Sequence, residues 1–361
     1  MEFLAEYGLF LAKVATVVIA VVIIVSAVVT VGQKKQQADK GHLEITPLNQ
    51  QFNDMSEAML IATMDEALQK AEEKKLHKAK KKQAKLDKKR DKKASKQADT
   101  GDSEETQARS RVFVLNFNGN ISASATSHLR EEITAVLTQA TANDEVLVKL
   151  ESPGGMVHSY GLASSQLDRI RKAQIPLTVC VDKVAASGGY MMACVADKII
   201  AAPFAILGSI GVVAQLPNFN KVLKKHDVEF ELLTAGEHKR TLTMFGENTD
   251  SGREKFLEEL EDTHSLFKEF VQERRPQLDI DLIATGEVWF GTRALNVALV
   301  DDLQTSDEYL VARAQEADVY EIAFVLKKKL HQRLGLAAEE SADRVMLRWW
   351  ERLTNNTERM T

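Results

Sequence analysis

The sequence predicts an α/β domain of mostly parallel strands, preceded by one transmembrane helix and a charged linker. Three observations predict this: a long apolar run near the N-terminus, a lysine-dense tract after it, and short β-type runs that alternate with helical patterns from residue 110 onward. Strands alternating with helices form mostly parallel sheets, with functional groups on the loops at the strand ends. We divide the 361 residues into an anchor (9–31), a linker (32–109), a folded domain (110–325) and a helical tail (326–361).

The anchor is the clearest of these segments. From Val14 to Val31 the chain runs for eighteen residues without a charge. At about 1.5 Å per residue this run spans roughly 27 Å, close to the hydrocarbon thickness of a bilayer. A cleaved signal peptide is the alternative, but its first residues would be basic, whereas Glu2 and Glu6 precede this run. We therefore expect a permanent transmembrane helix that binds the lipid bilayer.

The linker carries the strongest charge of the chain. Residues 69–98 contain fourteen Lys or Arg against four Asp or Glu, a charge of +10 in a chain whose total is −5. With almost no aromatic residues it cannot bury a core, so we expect a charged helix or a disordered tether. A solvated spacer and a contact with anionic lipid headgroups both fit this tract. Nucleic-acid binding is not expected, because stacking residues are absent.

The side of the membrane on which the domain lies is ambiguous. Basic residues follow the anchor and acidic residues precede it, so the positive-inside rule places the domain in the cytoplasm. The rule is weak for long domains, because these are translocated largely regardless of their charge.

The folded domain is predicted from the period of its apolar residues. Strands are predicted at 112–117, 146–150, 177–181, 197–201, 210–215, 228–233 and 320–326. Helices are predicted at 125–140, 157–173, 251–274 and 307–315. The tail beyond residue 326 is expected to pack on the domain or on a neighbouring subunit, with an interfacial membrane contact as the alternative.

Cysteine and metal chemistry contribute little to the prediction. Cys180 and Cys194 both lie inside apolar runs, which makes a disulfide framework unexpected. No cluster of His, Cys, Asp and Glu has metal-ligand spacing, so we expect neither a metal nor another cofactor.

Two glycine-rich motifs could carry chemistry. Ser152-Pro153-Gly154-Gly155 follows a predicted strand, and its paired glycines allow a sharp turn that points an amide N–H toward a substrate. Ala185-Ala186-Ser187-Gly188-Gly189-Tyr190 joins a strand to an apolar helix. A serine with small neighbours at such a junction is open to substrate and close to amide donors. An ordinary helix cap is the alternative for Ser187.

Three further motifs complete a set of five. They are Gly208-Ser209-Ile210-Gly211-Val212, the loop Ala235-Gly236-Glu237-His238-Lys239-Arg240-Thr241, and Gly286-Glu287-Val288-Trp289-Phe290-Gly291 with the following segment to Asp301. In this order and at these spacings, the five motifs resemble the signal peptide peptidase A family of Ser-Lys peptidases. The resemblance covers residues 111–303, and the anchor and the Lys-rich spacer match its general plan.

The resemblance implies a ClpP/crotonase-like fold of stacked β-β-α units and a membrane-anchored serine endopeptidase. Ser187 would be the nucleophile, Lys239 the general base and Ser209 the residue that orients the lysine amine. The N–H groups of Gly155 and Gly188 would form the oxyanion hole. The resemblance also implies a homo-oligomer in the bacterial inner membrane, a domain on the periplasmic side, and peptide substrates such as signal peptides or envelope protein fragments. Ala298 stands where members of this family usually have glycine.

A lysine acts as a base near pH 7 only in a dry environment. Its pKa must fall from about 10.4 to about 7, which corresponds to roughly 4.6 kcal/mol of desolvation. Leu242, Met244 and Phe245 follow Lys239 and are the residues expected to cover it. His238 is the rival base, and no histidine lies between Ser187 and His226.

A different function on the same fold has to be weighed. A membrane-bound scaffold without proteolysis, or a thioester binder of the crotonase type, would need the same sheet and helices. Fold alone does not separate these functions from a peptidase. The pair of Ser187 and Lys239 separates them, because thioester enzymes of this fold do not need it.

Overall fold

A computed structural model describes residues 41–65, 109–236 and 238–326, together with five single lysines of the Lys-rich tract. The chain divides into two compact units. One unit is Leu43–Phe324, and the other combines Met1–His42 with Val325–Thr361. Of the second unit, only residues 41, 42, 325 and 326 are described.

The described strands form two sheets. In chain order the strands are β1 (Gly41–Pro47), β2 (Arg111–Asn118), β3 (Glu145–Glu151), β4 (Leu177–Val181), β5 (Val184–Ala186), β6 (Lys198–Ala201), β7 (Ile206–Gly208), β8 (Val288–Phe290), β9 (Asp302–Leu303) and β10 (Asp318–Leu326). The larger sheet has the order β1-β10-β2-β3-β4-β6-β9, and its pairs from β10 to β9 are parallel. The smaller sheet has the order β5-β7-β8, with β5 and β7 parallel.

Helices connect these strands. In chain order they are α1 (Leu48–Ala62), α2 (Thr126–Leu137), α3 (Val157–Lys172), α4 (Gly188–Ala193), α5 (Asn220–Lys225), α6 (Asp250–Arg274), α7 (Ile280–Ile283), α8 (Gly291–Asn296) and α9 (Ser306–Glu316). Twice, a strand of the larger sheet is followed directly by a strand of the smaller one, as β4 by β5 and β6 by β7. The fold is therefore mixed α/β, as the sequence predicts.

The core lies on both faces of the larger sheet. Strands β2, β3 and β4 are buried along most of their length, which is why they are almost continuous runs of apolar residues. On one face, residues such as Leu115, Val148 and Val179 pack in a cluster that includes Leu129 of α2 and Leu167 of α3. On the other face, a smaller cluster lies under α1 and α9.

Most predicted elements agree with the structure. The strands at 112–117, 146–150, 177–181, 197–201 and 320–326 correspond to β2, β3, β4, β6 and β10, and the four predicted helices to α2, α3, α6 and α9. Helix α2 begins after Ala125 without a side-chain cap. Asn120 organises the preceding turn instead, because its Oδ1 accepts the Ser124 N–H at 3.0 Å. Both cysteines are buried and free.

Two predicted strands are wrong. Residues 210–215 and 228–233 have β-type sequences, but no neighbouring strand pairs with either segment in the described part of the chain. Instead, the strand of this region is β7, which ends at Gly208. Val213 is 80% exposed and Leu233 is 90% exposed. A β-type sequence forms a strand only where a neighbouring strand pairs with it.

The predicted linker is wrong at its start, because β1 and α1 belong to the folded domain. Leu48 is buried in the cluster beneath α9. The side chain of Asn49 donates to the carbonyls of Ala314 and Ala317, each at 2.9 Å. The Val319 N–H donates to Asn49 Oδ1 at 2.6 Å. This segment thus belongs to the folded domain through hydrogen bonds to residues about 270 positions further along the chain, which its local sequence does not reveal.

The predicted anchor (9–31) and the tail beyond residue 326 lie outside the described residues. Among the helices that are described, none combines the length and the apolar character needed to cross a bilayer.

Candidate active site

Ser187 lies at the junction between β5 and α4 in an uncommon backbone conformation. Its φ is 51° and its ψ is −119°. Positive φ is rare for residues other than glycine and persists only where neighbouring structure holds it. Here the Ser187 N–H donates to Gly208 O at 2.7 Å, and α4 begins at the next residue. The side chain is half-buried, so the hydroxyl is placed on a fixed turn with access to solvent.

Ser209 lies beside Ser187. Strands β5 and β7 are parallel with Ala186 opposite Gly208, so the next residue of each strand continues at the same edge of the sheet. Neighbouring strands lie about 4.8 Å apart. Ser209 also has a positive φ, 52°, and its N–H donates to Glu287 O at 2.6 Å. The register of the smaller sheet thus brings two of the predicted site residues together.

The Gly154-Gly155 turn approaches the same point. A Cβ on Gly154 would lie 2.8 Å from Ser187 Cβ and 2.9 Å from Gly188 N, and the φ of Gly154 is 91°. The Gly154 N–H donates to Ser152 Oγ at 3.1 Å. Within the described residues, neither the Gly155 N–H nor the Gly188 N–H has an acceptor. Two unpaired amide donors therefore flank the turn that carries Ser187.

Ser152 and Tyr160 lie buried beneath the Gly154-Gly155 turn and hold it through hydrogen bonds. The sequence alone assigns neither side chain a role. Both residues are fully buried. Ser152 Oγ lies 2.5 Å from Tyr160 Oη, and Tyr160 Oη donates to Asn120 O at 2.8 Å. Burial raises the pKa of the Tyr160 hydroxyl, so it stays protonated as a donor. The signal in the sequence was weak, because these residues come from three separate segments.

Lys239 lies on an exposed loop. Its backbone N–H donates to Gly236 O at 3.2 Å, and the residue itself is exposed. Met244 and Phe245, expected to cover the amine, are themselves exposed, and Phe245 packs on Phe219 with ring centroids 6.0 Å apart. The expected burial is therefore wrong for the single chain. The structure does not join Lys239 to Ser187.

The histidines near the site differ in their contacts. His238, the rival base, is exposed on the same loop as Lys239. His264 of α6, which sequence reasoning overlooked, lies with Nε2 3.2 Å from Ile210 O. Because Ile210 follows Ser209, this contact helps to fix the segment that leaves β7.

The geometry defines an α/β protein with a candidate nucleophile on a strained turn, beside two unpaired amide donors. Comparison with known families agrees with that class. The model of the peptidase family S49 N-terminal region matches residues 2–167, and the model of peptidase family S49 matches residues 169–320. The chain belongs to peptidase family S49, and it is a protease.

Relatives that are similar over nearly their whole length support this. A probable protease SohB of Haemophilus influenzae is 49% identical over 348 residues, which is 96% of either chain. A probable protease SohB of Buchnera aphidicola subsp. Schlechtendalia chinensis is 48% identical over 313 residues, which is 87% of this chain and 100% of the relative. The resemblance found in the sequence motifs is thereby confirmed, and proteolysis is favoured over a scaffold or a thioester binder.

Among solved structures, similarity is found to a mutant of a membrane-bound stomatin-specific protease in complex with a substrate peptide. It is 14% identical, with a TM-score of 0.38, and the match covers 63% of this chain and 96% of that chain.

Proposed function

We propose that the chain is a membrane-anchored serine endopeptidase that uses a Ser-Lys dyad. The observation that carries the proposal is the placement of Ser187. Its hydroxyl stands on a turn held at positive φ that lies against the Gly154-Gly155 turn, and the Gly155 and Gly188 amides have no acceptor among the described residues. Amide donors that converge beside a nucleophile are what stabilisation of a developing oxyanion requires.

The proposed reaction proceeds through an acyl-enzyme. Ser187 Oγ attacks the carbonyl carbon of a peptide bond and loses its proton to the neutral amine of Lys239. The carbonyl oxygen becomes an oxyanion that accepts hydrogen bonds from the Gly155 and Gly188 amides. Lys239 then gives the proton to the leaving amine, and a water molecule releases the acyl group by the same steps. Ser209, at the adjacent strand end, orients the lysine amine.

Neutral Lys239 requires a cover that the single chain does not supply, and a homo-oligomer is our proposed source of it. The arm that carries Lys239, residues 213–245, leaves many apolar side chains exposed. They include Val213, Leu216, Phe219, Val228, Phe230 and Leu233. Such a concentration of exposed apolar residues is typical of a surface that another chain covers. Copies packed along this arm would exclude water from the amine, as the proposed role of general base requires.

We place the protein in the bacterial inner membrane, with residues 9–31 as its anchor. The alternation of strands between the larger and the smaller sheet supports a ClpP/crotonase-like arrangement of β-β-α units. A site held near a bilayer and open to extended chains suits signal peptides or fragments of envelope proteins as substrates.

Covalent labelling of the full-length protein in detergent tests the proposal. A fluorophosphonate probe should label the wild type, and Ser187→Ala and Lys239→Ala should each abolish labelling and peptide hydrolysis. Ser165→Ala and Lys172→Ala are matched controls, because both residues are exposed and lie in helix α3, outside this arm. Both variants should label normally. Labelling that persists in Ser187→Ala would refute the nucleophile. Full activity in Lys239→Ala would refute the dyad.

A further inference from the structure

We propose that Ser152 and Tyr160 are positioning residues that aim the two oxyanion amides at the substrate. Neither touches the reacting atoms, and each acts through the glycine backbone above it. The inference rests on the proposed function, because it names what holds that same site in shape.

The hydrogen bonds around Ser152 run in one direction. Tyr160 has a single hydroxyl hydrogen, and Asn120 O accepts it at 2.8 Å. The short contact of 2.5 Å between the two hydroxyls must therefore use the Ser152 hydrogen, with Tyr160 Oη as acceptor. That leaves a lone pair of Ser152 Oγ for the Gly154 N–H at 3.1 Å. The order is Gly154 to Ser152 to Tyr160 to Asn120, with each hydrogen used once.

This chain of hydrogen bonds settles which amide of the turn remains available. Pro153 has no N–H, and the Gly154 N–H is directed inward at Ser152. The next donor along the turn is the Gly155 N–H, which has no acceptor within the described residues. Because the Gly154 N–H is bonded to Ser152, the Gly155 N–H is the amide of this turn that remains free to bind a substrate near Ser187.

Tyr160 also supports the second amide. A Cβ on Gly188 would lie 2.4 Å from Tyr160 Cγ, so the ring lies directly against the backbone that carries the Gly188 N–H. On the hydroxyl side, a Cβ on Gly119 would lie 2.5 Å from both Ser152 Oγ and Tyr160 Oη. Gly119 thus lets the backbone approach the two hydroxyls closely. Tyr160 therefore lies against the Gly188 backbone directly and reaches the Gly154-Gly155 turn through Ser152.

The variants Tyr160→Phe and Ser152→Ala separate positioning from packing. Tyr160→Phe keeps the ring against Gly188 and removes the acceptor of the Ser152 hydroxyl, whereas Ser152→Ala frees the Gly154 amide. We expect kcat to fall about 10- to 100-fold in each, less than the 10²–10³-fold loss that follows removal of an oxyanion donor. KM should stay within about twofold, because a displaced amide weakens the transition state and leaves ground-state binding intact.

Tyr309→Phe is the matched control. The Tyr309 hydroxyl donates to Glu145 Oε1 at 2.7 Å in the cluster on the other face of the sheet. Tyr309→Phe removes a tyrosine hydroxyl, as Tyr160→Phe does, but far from the Gly154-Gly155 turn. We therefore expect kcat to remain within about twofold of the wild type.

A peptide aldehyde supplies a second measurement. Its adduct with a serine places an oxygen in the oxyanion hole, so its Ki should rise by the same factor by which kcat/KM falls. Both measurements use the full-length protein in detergent, well below the melting temperature of each variant. If Tyr160→Phe and Ser152→Ala keep kcat and Ki within twofold of Tyr309→Phe, the inference is overturned. If Ser187→Ala remains active, the proposed function itself has failed, and the two failures are distinct.

Discussion

Gly154 is a position beside the proposed site at which the structure leaves no room for a side chain. An alanine there would place its Cβ 2.7 Å from Ala186 O, 2.8 Å from Ser187 Cβ and 2.9 Å from Gly188 N. Two of these three atoms are backbone, so no flexible side chain can yield. The φ of 91° adds strain for any residue with a Cβ. We therefore expect Gly154→Ala to destabilise the fold and to separate Ser187 from its amide donors.

The size of the effect follows from two contributions. A non-glycine residue at such a φ costs about 1–3 kcal/mol. Overpacking a site with little freedom to relax adds about 1–3 kcal/mol. A combined loss of about 3 kcal/mol would lower the melting temperature of a domain of this size by roughly 6–12 °C. Displacement of the turn should also reduce fluorophosphonate labelling by at least about tenfold, because the oxyanion amides move.

Gly161 provides the control. It lies in α3, and apart from the backbone of its own helix an added Cβ there would have no atom within 4 Å. Gly161→Ala should therefore raise stability by about 0.8–1 kcal/mol through helix propensity alone. Scanning fluorimetry and labelling rates on both variants make the comparison. If Gly154→Ala melts with the wild type and labels at the same rate, the close approach of the two turns is refuted.

Two further predictions concern the surface and the pH dependence. Leu233→Asp should dissociate the proposed oligomer and thereby reduce activity. Leu282→Asp, at a 52% exposed leucine of α7, is the control and should change neither assembly nor activity. Mass photometry measures assembly, and an unchanged mass for Leu233→Asp would contradict the proposed interface. Burial by itself raises the pKa of the Asp144 carboxyl, but hydrogen bonds from Arg111 and Thr141 lower it to about 2 from 3.8. Because the folded pKa is the lower one, this stabilisation is present above about pH 4 and is lost as pH falls toward 2. Asp144→Asn should remove that part of the acid dependence, measured as melting temperature against pH, and an unchanged slope would contradict the assignment.

The sequence predicts the central strands and the longer helices well because their signals are local. A run such as β4 is mostly apolar because both of its faces are buried, and α6 shows a helical period over 25 residues. Strand β1 has no such signal, since its place in the sheet depends on β10 at the far end of the chain. Residues 210–215 show the opposite case: their sequence is typical of a strand, but no neighbouring strand pairs with them.

The candidate site divides in the same way. Ser187, Ser209 and the glycines were found because small residues at strand ends leave a local motif, and the register of β5 and β7 then places the two serines side by side. The positive φ at both serines follows from backbone hydrogen bonds to residues far along the chain, which no propensity predicts. Ala298, where the sequence departs from the family pattern, also has a positive φ, 59°. The usual glycine there has a physical reason that the motif alone does not reveal.

The two halves of the proposed site differ in how firmly the chain holds them. The oxyanion half rests on the smaller sheet, and its turn is tied to buried Ser152 and Tyr160. The base half rests on an exposed arm with apolar side chains facing solvent. A preorganised amide pair can be built within one chain, because its hydrogen bonds are internal. A neutral lysine cannot, because it needs dry surroundings that this arm lacks alone. In the proposed mechanism, assembly would be the step at which the site acquires its base. Labelling and oligomer mass are then expected to be lost together in Leu233→Asp.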